Sequence, residues 1–347
     1  MKMKIIKKNR KQKEYEVKFL GLPILHYGRV PLPNGFEDYV EIFPKSFENT
    51  ILSSIYKQLG EKYDLVWICR VNALGENYLL TQLYKSVLEK YKTKKFCFVV
   101  HNEIHANMLR MFVDAPIVKT NISNLVLNDV LQEKEYKYQG TVFRTHHCGV
   151  DELNELFRVK YKNGLNKHYA EVIRENSKAK EFIYSAPKFS PEAIQRVESI
   201  QGLNLENFVL LQPEAKSVLP IDEEFWKKLA VEIRAKGYDI FVNTKNGTPT
   251  DLGFSEVLTV EEVTYLASKS KAIIGLRCGI LEVFSILKRP MHVLYTPHRF
   301  SDIGTDRTLE IHSMLGYPFI DKEHTFEYSY DQVSAEQIIN EIVGSLK

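Results

Sequence analysis

DLVWICRVNALGENYLLTQLYKSVLEKYKTKKFCFVV, residues 64–100, decides the fold. DLVWICRV (64–71) is apolar on both faces, as a strand buried within a parallel sheet must be. A short polar turn follows from Asn72 to Glu76, where Gly75 allows a tight bend. From Tyr78 to Tyr91 the apolar positions Leu80, Leu83, Tyr84, Val87, Leu88 and Tyr91 fall at helical spacing. KKFCFVV (94–100) is a second buried strand. Strand, helix and strand in this order make one β-α-β unit.

The alternation continues outward. EIHANMLRMF reads as a helix, APIVK as a short strand and GTVFRT (140–145) as another. The stretch from about 151 to 205 is more charged and helical. It contains SAPKFSP (185–191), whose prolines and serines suit an inter-domain linker. The second half repeats the pattern, with strands at NFVLLQ (207–212), YDIFVN (238–243), AIIGL (272–276) and MHVLY (291–295). Helices are expected over 222–236, stopped by Gly237, then from a Thr259–Glu262 capping box to about Ser270, and over 279–287. Ser334 and Gln337 cap a last helix. The expected domains are 1–187, opening with the basic tail; 188–330; and 331–347, a terminal helix packing back on the first domain.

The chain has 347 residues and a net charge of +3. That length suits two domains of ordinary size. Lys2, Lys4, Lys7, Lys8, Arg10, Lys11 and Lys13 carry seven charges with no acid among residues 1–13, so the other residues carry a net of −4. Such a tail is either solvated or drawn to an anionic membrane surface. The balanced remainder argues against nucleic acid as a partner. The basic start is not followed by an apolar run, so no secretory leader is read. The four cysteines match no metal or disulfide spacing, which fits a reducing cytoplasm, and peripheral attachment to the inner face of a membrane is the further expectation.

Parallel sheets bind ligands at the carboxyl ends of their strands. Three turns there carry polar residues. In RVNALGENYLL, Glu76 sits in the first helical turn, either as a base for an acceptor hydroxyl or as a complement to the helix dipole. In LLQPEAKSVLPIDEEFW, Glu214, Lys216 and Ser217 occupy the loop after a strand. Lys216 would neutralise a diphosphate and Ser217 hydrogen-bond it, unless the loop is an ordinary surface connection. In IIGLRCGILEVFS, Arg277, Cys278 and Gly279 form the turn. Arg277 is either a phosphate clamp or a salt-bridge partner. Glu282, one turn on, either binds sugar hydroxyls or caps the helix. His146 and His147 end a strand and are candidates for a base or acceptor contact. Asn243 ends another strand and would border a nucleotide. The sequence contains no GxxxxGK[ST], GxGxxG, HExxH or DxD motif.

Residues 68–100 resemble the opening of the bacterial family-nine glycosyltransferases, the heptosyltransferase group, which reads R-x-x-A-x-G-D, a helix and a strand. IIGLRCGILEVFSILKRPMHVLYTP is similar to that family's donor block, V-G-x-D-T-G-x-x-H followed by G-R-P. QPEAKSVLP with FWKKLAVEIRAKGYDIFVN resembles its P-G-A…K-x-W segment. The resemblance covers about half the chain in three ordered blocks. It implies an α/β protein of GT-B type, with two Rossmann-like β/α/β domains facing a cleft. It also implies a metal-independent transferase without a cofactor. The substrates implied are a nucleotide-diphosphate sugar as donor and a surface glycan or lipid-linked acceptor. Glu76 falls at the family's acidic position, Arg277-Cys278-Gly279 at its Asp-Thr-Gly, and Glu282 at its His. These departures suggest a donor other than ADP-heptose. The alternatives are a nucleotide-sugar epimerase of the same fold, or an inactive relative serving as a binding or assembly subunit.

Overall fold

The computed structural model describes residues 4–9, 14–19, 22–32, 35–42, 45–69, 73–123, 127, 130–131, 135–145, 168–244, 247, 250–299 and 304–346. These fall into two compact units. The first contains Met1–Asn72, Thr93–Asn102 and Ala115–His147; the second contains Ala73–Lys92, Glu103–Asp114 and Cys148–Lys347.

The first unit opens with four antiparallel strands in sequential order: β1 (Lys4–Asn9), β2 (Glu14–Phe19), β3 (Leu22–Leu32) and β4 (Gly35–Ile42). This meander is a finding that the sequence reading did not contain. The stretch read as a basic tail is in part a strand: Lys4 to Lys7 pair with Lys18 to Tyr15.

Helix α1 (Lys45–Gln58) follows, then β5 (Leu65–Cys69), β6 (Phe96–Val100), β7 (Ile117–Lys119), β8 (Glu135–Tyr138) and β9 (Thr141–Thr145). The sheet order is β7-β6-β5-β9-β8. All neighbours are parallel except the β8–β9 hairpin. Every residue of β5 and β6 is buried, as their unbroken apolar runs require. Ile51, Leu52 and Ile55 of α1 recur at helical spacing and pack on Val66, Ile68 and Val99.

The second unit holds helices α2 (Leu74–Tyr91), α3 (Glu103–Phe112), α4 (Tyr169–Asn176), α5 (Pro191–Glu198) and α6 (Glu223–Ala235). It also holds α7 (Val260–Lys269), α8 (Gly279–Phe284), α9 (Thr305–His312) and α10 (Ala335–Ser345). Its strands are β10 (Phe208–Gln212), β11 (Asp239–Val242), β12 (Ala272–Leu276), β13 (Met291–Tyr295) and β14 (Thr325–Ser329). They form one fully parallel sheet in the order β11-β10-β12-β13-β14.

The expected capping box of α7 is present, with the Thr259 side chain accepting from Glu262 N–H and the Glu262 carboxylate accepting from Thr259 N–H. Ser334 caps α10 by accepting from Gln337 N–H. Ile338, Ile339, Ile342 and Val343 of α10 join Phe225, Trp226 and Leu229 of α6 over the sheet. The last helix therefore spends its apolar face in the second unit's core, and the expected return to the N-terminal domain is corrected. The expected linker is anchored: Ile183 N–H donates to Gln82 O (2.7 Å) and Lys188 N–H to Met111 O (2.7 Å).

Candidate functional site

Helix α2 begins at Leu74, a turn earlier than its apolar spacing indicates. Gly75 is therefore inside the first helical turn, and its lack of a side chain serves close approach instead of a bend. A Cβ placed there would lie 2.0 Å from Glu282 Oε2, and one placed on Gly279 would lie 2.9 Å from Gly75 N. The starts of α2 and α8 thus touch through two glycines. Glu76, next in the chain, is 7% exposed. Ala73, the residue before the helix, is extended and its side chain makes no capping bond, so an acid in this first turn also complements the dipole.

At the carboxyl end of β12, Arg277 and Glu282 pair with each other. Arg277 Nη2 donates to Glu282 Oε1 at 2.7 Å and to the Tyr317 hydroxyl at 2.8 Å, and Nε donates to His312 O at 3.0 Å. Both side chains are buried. Burial disfavours the charge on Arg277, but Tyr317 and Glu282 outweigh it and hold the guanidinium protonated. Burial pushes the Glu282 carboxyl above its ordinary value, with Arg277 opposing. Glu282 Oε2 is buried without a hydrogen-bond partner and lies against Gly75. Of the two readings open for Arg277, the structure realises the salt bridge. Cys278 precedes α8 without a capping bond, and burial raises its thiol to about 11.

This pair anchors a polar hub that sequence reasoning missed. The Tyr295 hydroxyl accepts from Met314 N–H (3.0 Å) and bonds the Glu327 carboxylate, which also accepts from Ser313 Oγ (2.7 Å). His168 Nε2 donates to Ser313 O (2.8 Å), and its ring meets Tyr317 edge-on with centroids 4.9 Å apart. Burial lowers His168 to about 4, so it is neutral. His168, Tyr295, His312, Tyr317 and Glu327 belong to no local motif. Their partners are far apart in sequence, and only the fold joins them.

The remaining expected residues gather at the ends of β10 and β11. Glu214, Lys216 and Ser217 are exposed. The Asn243 amide donates to Gln212 Oε1 (2.5 Å), and Gln212 Nε2 donates to Glu214 O (2.7 Å), so the Asn243 side chain braces the neighbouring strand end. The loop carrying Lys216 is stitched to the loop after β13. Leu219 N–H donates to Pro297 O (2.9 Å), Arg299 N–H to Ser217 O (2.8 Å), and Thr296 Oγ1 to Leu219 O (2.6 Å). Arg299 thereby joins Lys216 as a second exposed cation at this edge, a relation the sequence did not reveal. His146 and His147 lie outside the described residues. Among the described residues, no group of His, Cys, Asp and Glu is placed to hold a metal ion, and no helix is long and apolar enough to cross a membrane.

No protein-family profile and no curated protein matches the chain. Solved structures do. The crystal structure of the glycosyl transferase family 9 from Veillonella parvula is similar over 82% of this chain and 90% of that one, at 13% identity and a TM-score of 0.51. The E. coli heptosyltransferase WaaC with ADP is similar over 80% of this chain and 98% of that one, at 16% identity and a TM-score of 0.50. At these identities the likeness concerns the fold: the α/β architecture with two parallel-type sheets is that of the GT-B heptosyltransferase structures.

Proposed function

We propose that the chain is a glycosyltransferase that moves a sugar from a nucleotide-diphosphate sugar to a glycan or lipid-linked acceptor without a metal. The observation that carries this reading is the contact of Gly75 with Gly279 and Glu282. It brings the start of α2, with Glu76, onto the turn at the carboxyl end of β12, the edge where parallel sheets bind ligands. The shared fold supports the reading.

In the proposed reaction Glu76 takes the proton of an acceptor hydroxyl. The acceptor oxygen bonds the anomeric carbon, and the bond from that carbon to the diphosphate breaks. The diphosphate leaves with the electron pair. Lys216 and Ser217, on the stitched loop, offset the charge that develops on it. Arg277 acts indirectly: it opposes the upward push of burial on the Glu282 carboxyl and holds the segment from His312 to Tyr317 behind the turn. The basic residues 1–13, in part strand β1, are proposed to touch an anionic membrane when the acceptor is lipid-linked. Co-sedimentation with anionic and neutral vesicles tests that contact.

A thermal-shift panel of nucleoside diphosphates and their sugars tests the reading, because a ligand at 100 times its Kd stabilises by about 2.7 kcal/mol. Transfer is then followed with and without EDTA. No shift with any diphosphate would overturn the reading, and loss of turnover with EDTA would overturn metal independence. One observation favours a second reading, an inactive relative that binds donor: the buried Arg277–Glu282 pair removes two polar side chains from the expected donor site. Diphosphate binding with neither transfer nor hydrolysis selects it.

A further inference from the structure

Phe319 holds its backbone at φ 68°, the left-handed region that bulky side chains avoid. Its ring is only partly buried and meets the ring of Tyr184 edge-on, with centroids 5.3 Å apart. Tyr184 is 45% exposed, one of the large apolar side chains the described chain leaves open. A strained backbone that presents a ring to solvent calls for an explanation beyond packing, since strain of this kind gathers where a ligand is held.

Both rings stand beside the site. Phe319 is two residues beyond Tyr317, whose hydroxyl receives Arg277. Tyr184 lies in the segment anchored on α2 by Ile183 N–H to Gln82 O and by Ser185 N–H to Gln82 Oε1 (3.0 Å). Burial raises the hydroxyl of Tyr78, and the Tyr184 hydroxyl adds a smaller electrostatic push the same way. The Glu282 carboxylate pushes Tyr78 in the same direction. An aromatic pair, one ring exposed and one partly buried, therefore adjoins a cluster of buried hydroxyl and carboxylate groups. Apolar ring faces next to hydrogen-bonding groups match the two kinds of surface of a sugar ring, its C–H face and its hydroxyl edge.

We propose that Tyr184 and Phe319 form a platform on which a pyranose ring of the substrate stacks. The inference rests on the transferase reading and deepens it by assigning two specificity residues. The sugar ring could come from the donor or from the acceptor, and the test separates them. No atom of the platform takes part in bond making; its role is to fix the ring's orientation.

Full-length protein and the variants Phe319→Gly and Tyr184→Ala are titrated by calorimetry with three kinds of probe: UDP and ADP; UDP-glucose and ADP-glucose; and a deacylated lipooligosaccharide core. Phe319→Gly removes the ring and also relieves the backbone, so it should melt no lower than wild type. Loss of a stacked ring should weaken sugar-bearing probes about three- to tenfold and leave the bare diphosphates unchanged. Weakening confined to the nucleotide sugars places the donor ring on the platform, and weakening confined to the core places the acceptor ring there. Diphosphate binding with no discrimination by either variant overturns the platform alone. Binding of none of the probes overturns the platform and the transferase reading together.

Discussion

Glu282 occupies the space a side chain on residue 75 would need: its Oε2 lies 2.0 Å from where the Cβ would stand. The carboxylate cannot swing aside freely, because Oε1 is held by Arg277 at 2.7 Å. Gly75→Ala should therefore destabilise by about 1–3 kcal/mol, the usual cost of overpacking. The same change in a Glu282→Ala background should cost far less. A double-mutant cycle from denaturant melts measures this, and full additivity would contradict the contact.

The Arg277–Glu282 pair gives a second expectation. Removing only the cation strands a buried carboxylate, so Arg277→Met should cost about 3–5 kcal/mol. Replacing both partners, Arg277→Met with Glu282→Leu, should recover much of that loss. Unfolding of the two variants side by side decides it. A single variant as stable as the double would mean that the pair contributes nothing.

Acid should unfold the second unit through its buried histidines. His168 Nδ1 accepts from Ala170 N–H while Nε2 donates to Ser313 O. His292 Nε2 faces Ser345 Oγ, whose own proton goes to Ile342 O, so Nδ1 accepts from the Tyr328 hydroxyl. Each ring is thus neutral with its acceptor nitrogen occupied. Burial lowers both to about 4 from an ordinary 6.5. Below pH 6.5 the unfolded state takes up protons that the folded state refuses, so stability falls from about pH 6.5 to 4 and is retained above. Melting temperature against pH checks this. His292→Gln should flatten the slope by removing one of these titrations.

Glu76→Gln separates catalysis from helix support. As the proposed base, Glu76 should be worth at least ~10²-fold in kcat with donor Kd unchanged. As a dipole complement alone, its loss should cost ~0.3–1 kcal/mol of stability and leave turnover near normal. Turnover within a few-fold of wild type would move the proposed base role to His146 or His147.

The parallel sheets were legible because buried strands must be apolar on both faces; β10, β12 and β13 match their sequence bounds within a residue. The Thr259–Glu262 box was legible because capping is local. The strand β14 and the helix α9 were not, since 305–329 mixes polar and aromatic residues without clear period. At the site, Gly75 was read as a bend before the helix, yet it lies inside α2 and serves contact instead. The two outcomes named for Arg277 could not be separated in sequence. Its neighbours His312 and Tyr317 lie 35 and 40 residues away, and no spacing rule reaches so far.

Helices α2 and α3 emerge early in synthesis, yet the surfaces they pack on belong to the second unit and emerge late. α2 meets α8, and α3 meets α7. Until those arrive, the contacts of α2 with α8 and of α3 with α7 cannot form. Folding of this unit is dominated by distant contacts and is slow to close, leaving a window for aggregation while the ribosome is still at work. A fragment that starts at residue 188 lacks α2, α3 and α4, three of the helices of its native unit.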